Sequence, residues 1–410
     1  MKLPANDPRA EGTAGSSLHG GRSLGRVAVL FNSPFLYGME RAVIELFSVL
    51  RPEIEALFVM THVTLRENLP VLRQIEARGL PHVFWPDHKP WPRLGKPRSL
   101  SHLLRMIWAW VRGSIALFKS GAGRDALYVG SLFASPYGMP LAFYYRSRGR
   151  RVVHHFHDLN NNRLLMRAWA PFVTDFVHNS RFGLEAVLQD HPYLRKKRNH
   201  LLPYIMDLAA PAPWPGADAR KRNLVFAGRV SSQKGIDYLL EAFARVAAGY
   251  PDTTLHIVGT CAKEYEEEFE SRLSAAQGMA DVKFWGYLEN VIDLLGSAYL
   301  HVQSTPPSRC HESFPRIALE AMASGVPSVC FRSGGLQDMI KDGVTGILCA
   351  EETVEALADA IGRFLADPDL RERCGKNARE TYLREYSAAK LRGRWLKLLA
   401  RRGAECAANE

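Results

Sequence analysis

Two glutamates, Glu312 and Glu320, have seven residues between them and surround a predicted helix start. Pro315 suits the first position of that helix because it lacks an N–H group, and Gly325 with Pro327 predicts where the helix ends. Ionised carboxylates accept hydrogen bonds strongly from hydroxyl groups, and free N–H groups at a helix start attract phosphate. The pattern predicts either a site that holds an anion beside a polyol, with Glu320 about two turns along the helix, or two solvated surface acids.

Two cations flank a loop after a predicted buried strand over residues 224–228. Arg229 follows that strand directly, and Lys234 precedes a helical pattern that begins at Ile236. Open α/β sheets bind ligands at the carboxyl ends of their strands. The two side chains are therefore candidates for binding an anion, and a solvated surface position is the alternative for each.

Short apolar runs alternate with helical patterns twice along the chain, which implies parallel sheets covered on both faces. The predicted strands are 26–32, 57–60, 126–129, 152–156 and 174–177 in the first half, and 223–227, 254–258, 282–285, 299–302 and 327–331 in the second. The fold class predicted is α/β, with two Rossmann-like doubly wound parallel-sheet domains facing a central cleft.

The motifs in this order resemble the retaining GT-B glycosyltransferases related to glycogen synthase and the bacterial mannosyltransferases. The resemblance is dense over residues 223–386 and thinner before them. It rests on Gly228-Arg229 with Lys234-Gly235, Glu312-Ser-Phe-Pro315 with Glu320-Ala-Met-Ala-Ser-Gly-Val-Pro327, and Gly334-Gly335 followed by Asp342-Gly343-Val-Thr-Gly346.

The resemblance implies a donor site for a nucleoside-diphosphate sugar. Arg229 and Lys234 would stabilise the departing diphosphate, Glu312 would reach the sugar hydroxyls, and Glu320 would bind the ribose. The helix tip that would assist the two cations consists of Ser313, Phe314, Pro315 and Arg316.

Other donor-binding residues implied by the resemblance lie in three loops. Gly228 precedes Arg229, Tyr287 belongs to a loop that flanks the donor's base, and Gly38 belongs to a first-domain loop that approaches the donor phosphate. The chain departs from the family pattern twice, with Tyr37 and Ile205 at positions where glycine is common.

His157 ends a strand pattern, and His155 lies on the same face two residues earlier. Three roles fit His157: a metal pair with His155, a structural histidine, or an active-site residue that lines the cleft. The third follows from the pair His157-Asp158, which resembles the family's sugar-contacting histidine.

The sequence predicts no metal and no cofactor. The close acidic pair Asp367 and Asp369 follows a helical pattern and is typical of a helix cap, and the six cysteines are scattered without paired spacing. Such cysteine usage indicates neither a disulfide framework nor a zinc site and fits a reducing cytoplasm.

The predicted domain organisation has five parts. These are a disordered tail at 1–25 without the apolar stretch of a signal peptide, an acceptor-side domain at 26–207, a Pro- and Gly-containing linker at 208–222, a nucleotide-sugar domain at 223–386, and a helix at 387–410. In the resembled fold that helix returns toward the first domain.

The net charge of +11 calls for an anionic partner such as a membrane surface, a nucleoside diphosphate or nucleic acid. Residues 96–119 combine Arg, Lys and Trp with an apolar stripe, so they suit either an interfacial helix or a helix that faces a core. No apolar stretch is long enough to span a bilayer. No nucleic-acid recognition module is evident, so nucleic acid is not expected as a partner.

These observations predict a metal-independent, retaining hexosyltransferase that acts in surface polysaccharide or glycolipid biosynthesis. The expected partners are a nucleotide-sugar donor and a glycan or lipid-linked acceptor, and the expected location is cytoplasmic, in contact with the inner face of a membrane. A nucleotide-sugar epimerase of the same two-domain build is the main alternative. A nucleic-acid-binding protein is the other.

Overall fold

The computed structural model describes residues 23–31, 38–60, 70–84, 121–131, 135–157, 162–206 and 221–401, with isolated positions between 99 and 119 and at 159, 208, 211 and 214. The predictions about the tail up to residue 22, about Tyr37 and Asp158, and about most of the linker and of residues 96–119 lie outside these residues.

The first half of the chain forms a seven-stranded parallel sheet in the order β3-β2-β1-β4-β5-β6-β7. The strands are β1 (Gly25–Phe31), β2 (Ile54–Met60), β3 (His82–Phe84), β4 (Ala126–Val129), β5 (Arg151–Phe156), β6 (Asp175–His178) and β7 (Arg198–Leu201). The helices are α1 (Gly38–Leu50), α2 (Pro70–Ala77), α3 (Ser135–Ser147), α4 (Arg163–Trp169) and α5 (Arg181–Asp190). Buried apolar clusters lie on both faces of this sheet.

The second half forms a six-stranded parallel sheet in the order β10-β9-β8-β11-β12-β13. Its strands are β8 (Arg222–Ala227), β9 (Thr253–Val258), β10 (Val282–Phe284), β11 (Leu300–Gln303), β12 (Ser328–Phe331) and β13 (Gly346–Cys349). Its helices are α6 (Ile236–Ala247), α7 (Glu266–Gln277), α8 (Val291–Gly296), α9 (Arg316–Ala323), α10 (Leu336–Met339), α11 (Val354–Ala366) and α12 (Pro368–Thr381). Two parallel sheets covered by helices confirm the predicted fold class.

The sequence analysis did not predict three of the strands, β3, β7 and β13. Each is an edge strand of three or four residues. The side chains of β7 are half-buried or exposed, so the continuous apolar run that marks a central parallel strand is missing there.

The chain end packs onto the first sheet. Helix α13 (Ala388–Leu399) follows a π-helical turn at Tyr382–Tyr386, and its residues Leu391, Trp395 and Leu399 are fully buried in the same cluster as Val27 of β1. Among the described residues, no helix combines the length and the apolar character needed to cross a membrane.

Candidate active site

The loop between β8 and α6 fixes Lys234 at the carboxyl edge of the second sheet. Gly235 has φ +67°, and a Cβ atom there would lie 2.0 Å from the carbonyl oxygen of Ser304, so only glycine fits. The Ser304 hydroxyl donates to the carbonyl oxygen of Lys234 at 3.0 Å. Lys234 is thus held beside the end of β11.

The Glu312 carboxylate contacts Lys234 directly. Its Oε1 atom accepts from Lys234 Nζ at 2.5 Å, from Gln303 Nε2 at 3.1 Å and from Thr305 Oγ1 at 2.8 Å. The two ionised side chains are largely buried, with 22% and 13% of the Lys234 and Glu312 side chains exposed. No described residue hydrogen-bonds Glu312 Oε2. One oxygen is therefore fixed by three donors, and the other can accept from a ligand.

Gln303 and Thr305 were missed in the sequence analysis. Both are polar residues at or just after the carboxyl end of β11, and that position in a parallel sheet was the available signal. They carry no motif of their own.

The backbone around Glu312 is fixed by the turn after β12 and by the first domain. The amide of Gly335 donates to the carbonyl oxygen of Glu312 at 2.6 Å, and a Cβ atom on Gly334 would lie 2.1 Å from that oxygen. Ser180 of the first domain donates from its hydroxyl to the carbonyl oxygen of Ser313 at 2.7 Å. The segment is clamped from both sides.

Helix α9 begins one residue later than predicted. Pro315 is its N-cap, with φ −74° and ψ 108°, and Arg316 is the first helical residue. The extended ψ keeps Pro315 outside the helix, so the prediction of Pro315 at the first helical position is wrong. Glu320 accordingly lies little more than one turn into the helix, not about two.

Arg316 and Glu320 face the first domain. Arg316 Nη2 donates to both carboxylate oxygens of Glu45 in α1, at 2.9 and 3.0 Å, and lies 3.6 Å from Glu320 Oε1. Burial raises the pKa of the Glu320 carboxyl, Arg316 lowers it, and Glu45 raises it further. Glu45 had not been predicted as a site residue.

These three charged side chains line a cavity of about 210 Å³ between the two domains. Its walls are Arg41, Ile44, Glu45, Gln74 and Arg78 from the first domain, Leu208, and Glu289, Asn290, Val291, Ile292, Arg316 and Glu320 from the second. Tyr287 lies nearby, because its hydroxyl accepts from Arg41 at 2.5 Å. A Cβ atom on Gly38 would lie 3.5 Å from Arg316 Cδ, so Gly38 also faces this region.

His157 reaches the same loop through aromatic neighbours. Its Nδ1 atom shares a hydrogen bond with the Tyr204 hydroxyl at 2.9 Å, and the Tyr204 ring packs edge-on against Phe314 with centroids 5.1 Å apart. Burial, with His155 and His154 adding to it, holds the pKa of His157 well below its ordinary value. Its buried Nε2 atom has no partner among the described residues.

His155 is already engaged on both ring nitrogens. Nδ1 shares a hydrogen bond with Tyr128 and Nε2 with Asn179, each at 2.5 Å, so His155 offers no free lone pair toward His157. Within the described part of the chain, no group of three or more His, Cys, Asp or Glu residues is arranged to hold a metal ion. Asp367 caps α12 by accepting from the amide of Leu370 at 2.8 Å, as predicted.

Arg229 stands apart from the other candidates. Its side chain is 62% exposed and lies 3.5 Å from Glu264, and none of its described contacts reaches Lys234, Glu312 or Glu320. The amide of Gly228 donates to the carbonyl oxygen of Val258 at 2.9 Å. Both residues lie on the loop that carries Lys234. The structure therefore places this loop, but not the Arg229 side chain, beside Glu312.

Comparison with known proteins adds an independent line of information. Residues 215–381 match the family model of glycosyl transferases group 1. Glycogen synthase of Mycobacterium tuberculosis (strain CDC 1551 / Oshkosh) is 32% identical over 176 residues, which cover 41% of this chain and 41% of that protein. D-inositol 3-phosphate glycosyltransferase of Arthrobacter sp. (strain FB24) is 36% identical over 165 residues, 40% of this chain and 39% of that protein. The matches thus span about two fifths of the length of these relatives.

Likeness in three dimensions covers more of the chain. Anabaena Alr3699/HepE, solved in complex with UDP and glucose, superposes with a TM-score of 0.73 at 19% identity, over 92% of this chain and 99% of that one. The two-domain architecture is the GT-B fold. Residues 215–381 match the glycosyl transferases group 1 model, and the resemblance of the motifs to glycogen synthase and related glycosyltransferases is confirmed. Retention of the anomeric configuration stays a prediction.

Proposed function

We propose that this protein is a glycosyltransferase that moves a sugar from a nucleoside-diphosphate donor to a glycan or lipid-linked acceptor. The observation that carries the proposal is the contact between Lys234 and Glu312, four residues before Arg316, which lines the interdomain cavity with Glu320. Glu312 in the loop before α9 and Glu320 within α9 place two carboxylates along one stretch of chain, and Lys234 from the loop after β8 pairs with the first of them. This arrangement suits an anion that is covalently linked to two polyols.

The donor would lie along this segment. Lys234 and the start of α9 would stabilise the diphosphate as it departs, Glu312 Oε2 would accept from a sugar hydroxyl, and Glu320 would accept from the ribose. Arg229, on the loop that carries Lys234, would turn its exposed side chain to the diphosphate once the donor is bound. HepE, which shares the fold, was solved with UDP and glucose, and this supports a nucleotide sugar as the donor.

His157 would contribute as a neutral imidazole. Its low pKa excludes a positive charge at neutral pH, so it can exchange hydrogen bonds with the transferred sugar but not neutralise the diphosphate. That task falls to Lys234 and Arg229 in the proposal, which assigns no role to a metal or a cofactor. Retention of the anomeric configuration rests on the resemblance to retaining enzymes.

Acceptor and pathway are proposed on surface properties. The net charge of +11 and the exposed side chains of Trp108 and Ile115 within the basic stretch 96–119 suit contact with an anionic membrane. A lipid-linked acceptor in surface polysaccharide or glycolipid assembly follows from that contact. Nucleic acid is not proposed as a partner.

One assay tests transfer against isomerisation. The protein is incubated with sugar-labelled UDP-, GDP- and ADP-sugars and a membrane lipid extract, and label is followed into the lipid phase. We expect lipid-bound product, which Glu312→Gln should form on the order of 10²-fold more slowly. Free, isomerised nucleotide sugar would instead indicate an epimerase, an alternative that the comparisons do not support. The anomeric configuration of the product, read from its NMR coupling constant, tests retention.

A further inference from the structure

In the interdomain cavity, one arginine lies beside two glutamates. Arg316 and Glu320 belong to the second domain, and Glu45 belongs to α1 of the first. Less than a fifth of each side chain is exposed. Two carboxylates thus lie beside the same guanidinium, and Arg41 and Arg78 line the cavity around them.

Burial favours the protonated form of Glu320, and repulsion from the Glu45 carboxylate adds to that effect. Arg316 hydrogen-bonds Glu45 and lies 3.6 Å from Glu320, so its charge opposes both effects, but burial outweighs it and the pKa of the Glu320 carboxyl stays above its ordinary value. The pairing crosses the domain boundary, since Glu45 fixes the guanidinium from the opposite wall.

The guanidinium of Arg316 is not fully paired. Arg316 Nη1 is buried and has no partner among the described residues. A guanidinium held only for packing would be expected to use all its donors.

We propose that Arg316, held in place by Glu45 of the first domain, is a positioning residue that keeps Glu320 ionised and oriented toward the donor's ribose hydroxyls. The inference rests on the proposed function, because it takes the ribose as the ligand of Glu320. It makes α1 part of the donor site, although no sequence motif marks Glu45.

The chemistry follows from the state of one carboxyl group. An ionised Glu320 can accept from both vicinal hydroxyls of a ribose, whereas a protonated one must donate a hydrogen and accepts less well. The charged groups that face Glu320 are Arg316 on its own helix and Glu45 and Arg41 on α1. Arg78 of α2 and Glu289 line the same cavity.

The test is calorimetric titration of the full-length chain with UDP-glucose, GDP-mannose and ADP-glucose across about pH 5 to 8. Nucleotide sugars are preferred to free nucleotides because a terminal phosphate itself titrates near pH 6. The variants are Arg316→Gln, Glu45→Gln and the double variant. The matched control is Arg392→Gln, which removes one positive charge from the ion pair with Glu53, outside the cavity.

The readout is the pH at which affinity for the bound donor has fallen by half. We expect Arg316→Gln to move this midpoint upward by about one to three pH units, the usual effect of a neighbouring opposite charge. Glu45→Gln should move it downward, because a repelling carboxylate is gone. The double variant should fall between the two single variants, and Arg392→Gln should match the wild type.

An unchanged midpoint in Arg316→Gln would overturn the inference, even if affinity dropped uniformly. If Arg316→Gln fails to fold, Arg316→Met, which keeps the aliphatic stem, takes its place: an upward shift supports the inference and a midpoint equal to that of the wild type overturns it. Absence of binding to all three donors by the wild type would count against the proposed function itself, and the inference would fall with it.

Discussion

At the scale of single residues, the Glu312 carboxylate is the most firmly oriented group of the site, with three donors on one oxygen. We expect Glu312→Gln to reduce the transfer rate on the order of 10²-fold, because a neutral amide neither pairs with Lys234 nor accepts as strongly from a sugar hydroxyl. Single-turnover kinetics with saturating donor measures the effect. Glu355→Gln, on the exposed surface of the same domain, is the control and should keep the wild-type rate.

Thr305 offers a finer test of orientation. Replacing it by valine keeps the shape of the side chain and removes one donor to Glu312, so we expect about a tenfold lower rate, the cost of one hydrogen bond to a charged group. The same change made in Glu312→Gln should cost much less, because the carboxylate that Thr305 orients is absent. Equal losses in both backgrounds would show that Thr305 acts elsewhere.

The sequence could predict Lys234, Glu312 and Glu320 as candidates because each lies in a motif at a strand or helix end. The structure joins Lys234 to Glu312 and places Glu320 on the cleft, although their catalytic roles stay predictions. The sequence could not predict Glu45, because it acts through a contact with Arg316 on a segment far away in the chain and nothing in its local sequence records that contact. Gln303 was missed although its position at the carboxyl end of β11 was a signal.

At the scale of elements, the tight turn before α6 has a clear physical basis. A side chain on Gly235 would collide with the backbone of Ser304 and require a left-handed conformation. We expect Gly235→Ala to lower the free energy of unfolding by roughly 1–3 kcal/mol and to displace Lys234. Urea denaturation measures the first effect.

Gly362 in α11 is the matched control. A Cβ atom there meets nothing within 4 Å, so Gly362→Ala should raise the free energy of unfolding by about 0.5–1 kcal/mol through helix propensity. If both substitutions changed stability alike, the backbone collision at Gly235 would not be the cause.

Elements were predictable where the pattern was long. The nine central strands that the structure describes contain apolar runs, and all nine were predicted together with the edge strand β10. The edge strands β3, β7 and β13 were missed, and β7 has no apolar run because its side chains are half-buried or exposed. The start of α9 was misplaced because proline suits both the N-cap and the first helical position, and only the backbone ψ angle of Pro315 distinguishes them.

At the scale of the whole molecule, buried histidines make stability sensitive to acid. Burial lowers the pKa of His154 and His155 to about 3 and that of His178, His256 and His301 to about 4. Each ring is neutral in the folded protein, while the unfolded chain binds a proton below about pH 6.5. The stability that these histidines contribute is therefore fully present above that pH and is lost as pH falls toward 4.

We expect the free energy of unfolding to decline steeply between about pH 6.5 and 4. His301→Gln should reduce the slope by about one proton, because it removes one group that titrates only on unfolding. Urea denaturation at a series of pH values gives the slope. A slope that this variant leaves unchanged would show that His301 is not held neutral by the fold.

The central claim is that Lys234 and its neighbours in the cleft hold a nucleoside-diphosphate sugar, and thermal unfolding with UDP-, GDP- and ADP-sugars tests it most directly. At a concentration of about 100 times its dissociation constant, the correct donor should raise the thermal unfolding midpoint of the wild type by about 2–4 °C. Lys234→Gln should lose most of that rise. Stabilisation by none of the three donors, or equal stabilisation of the variant, would contradict the claim.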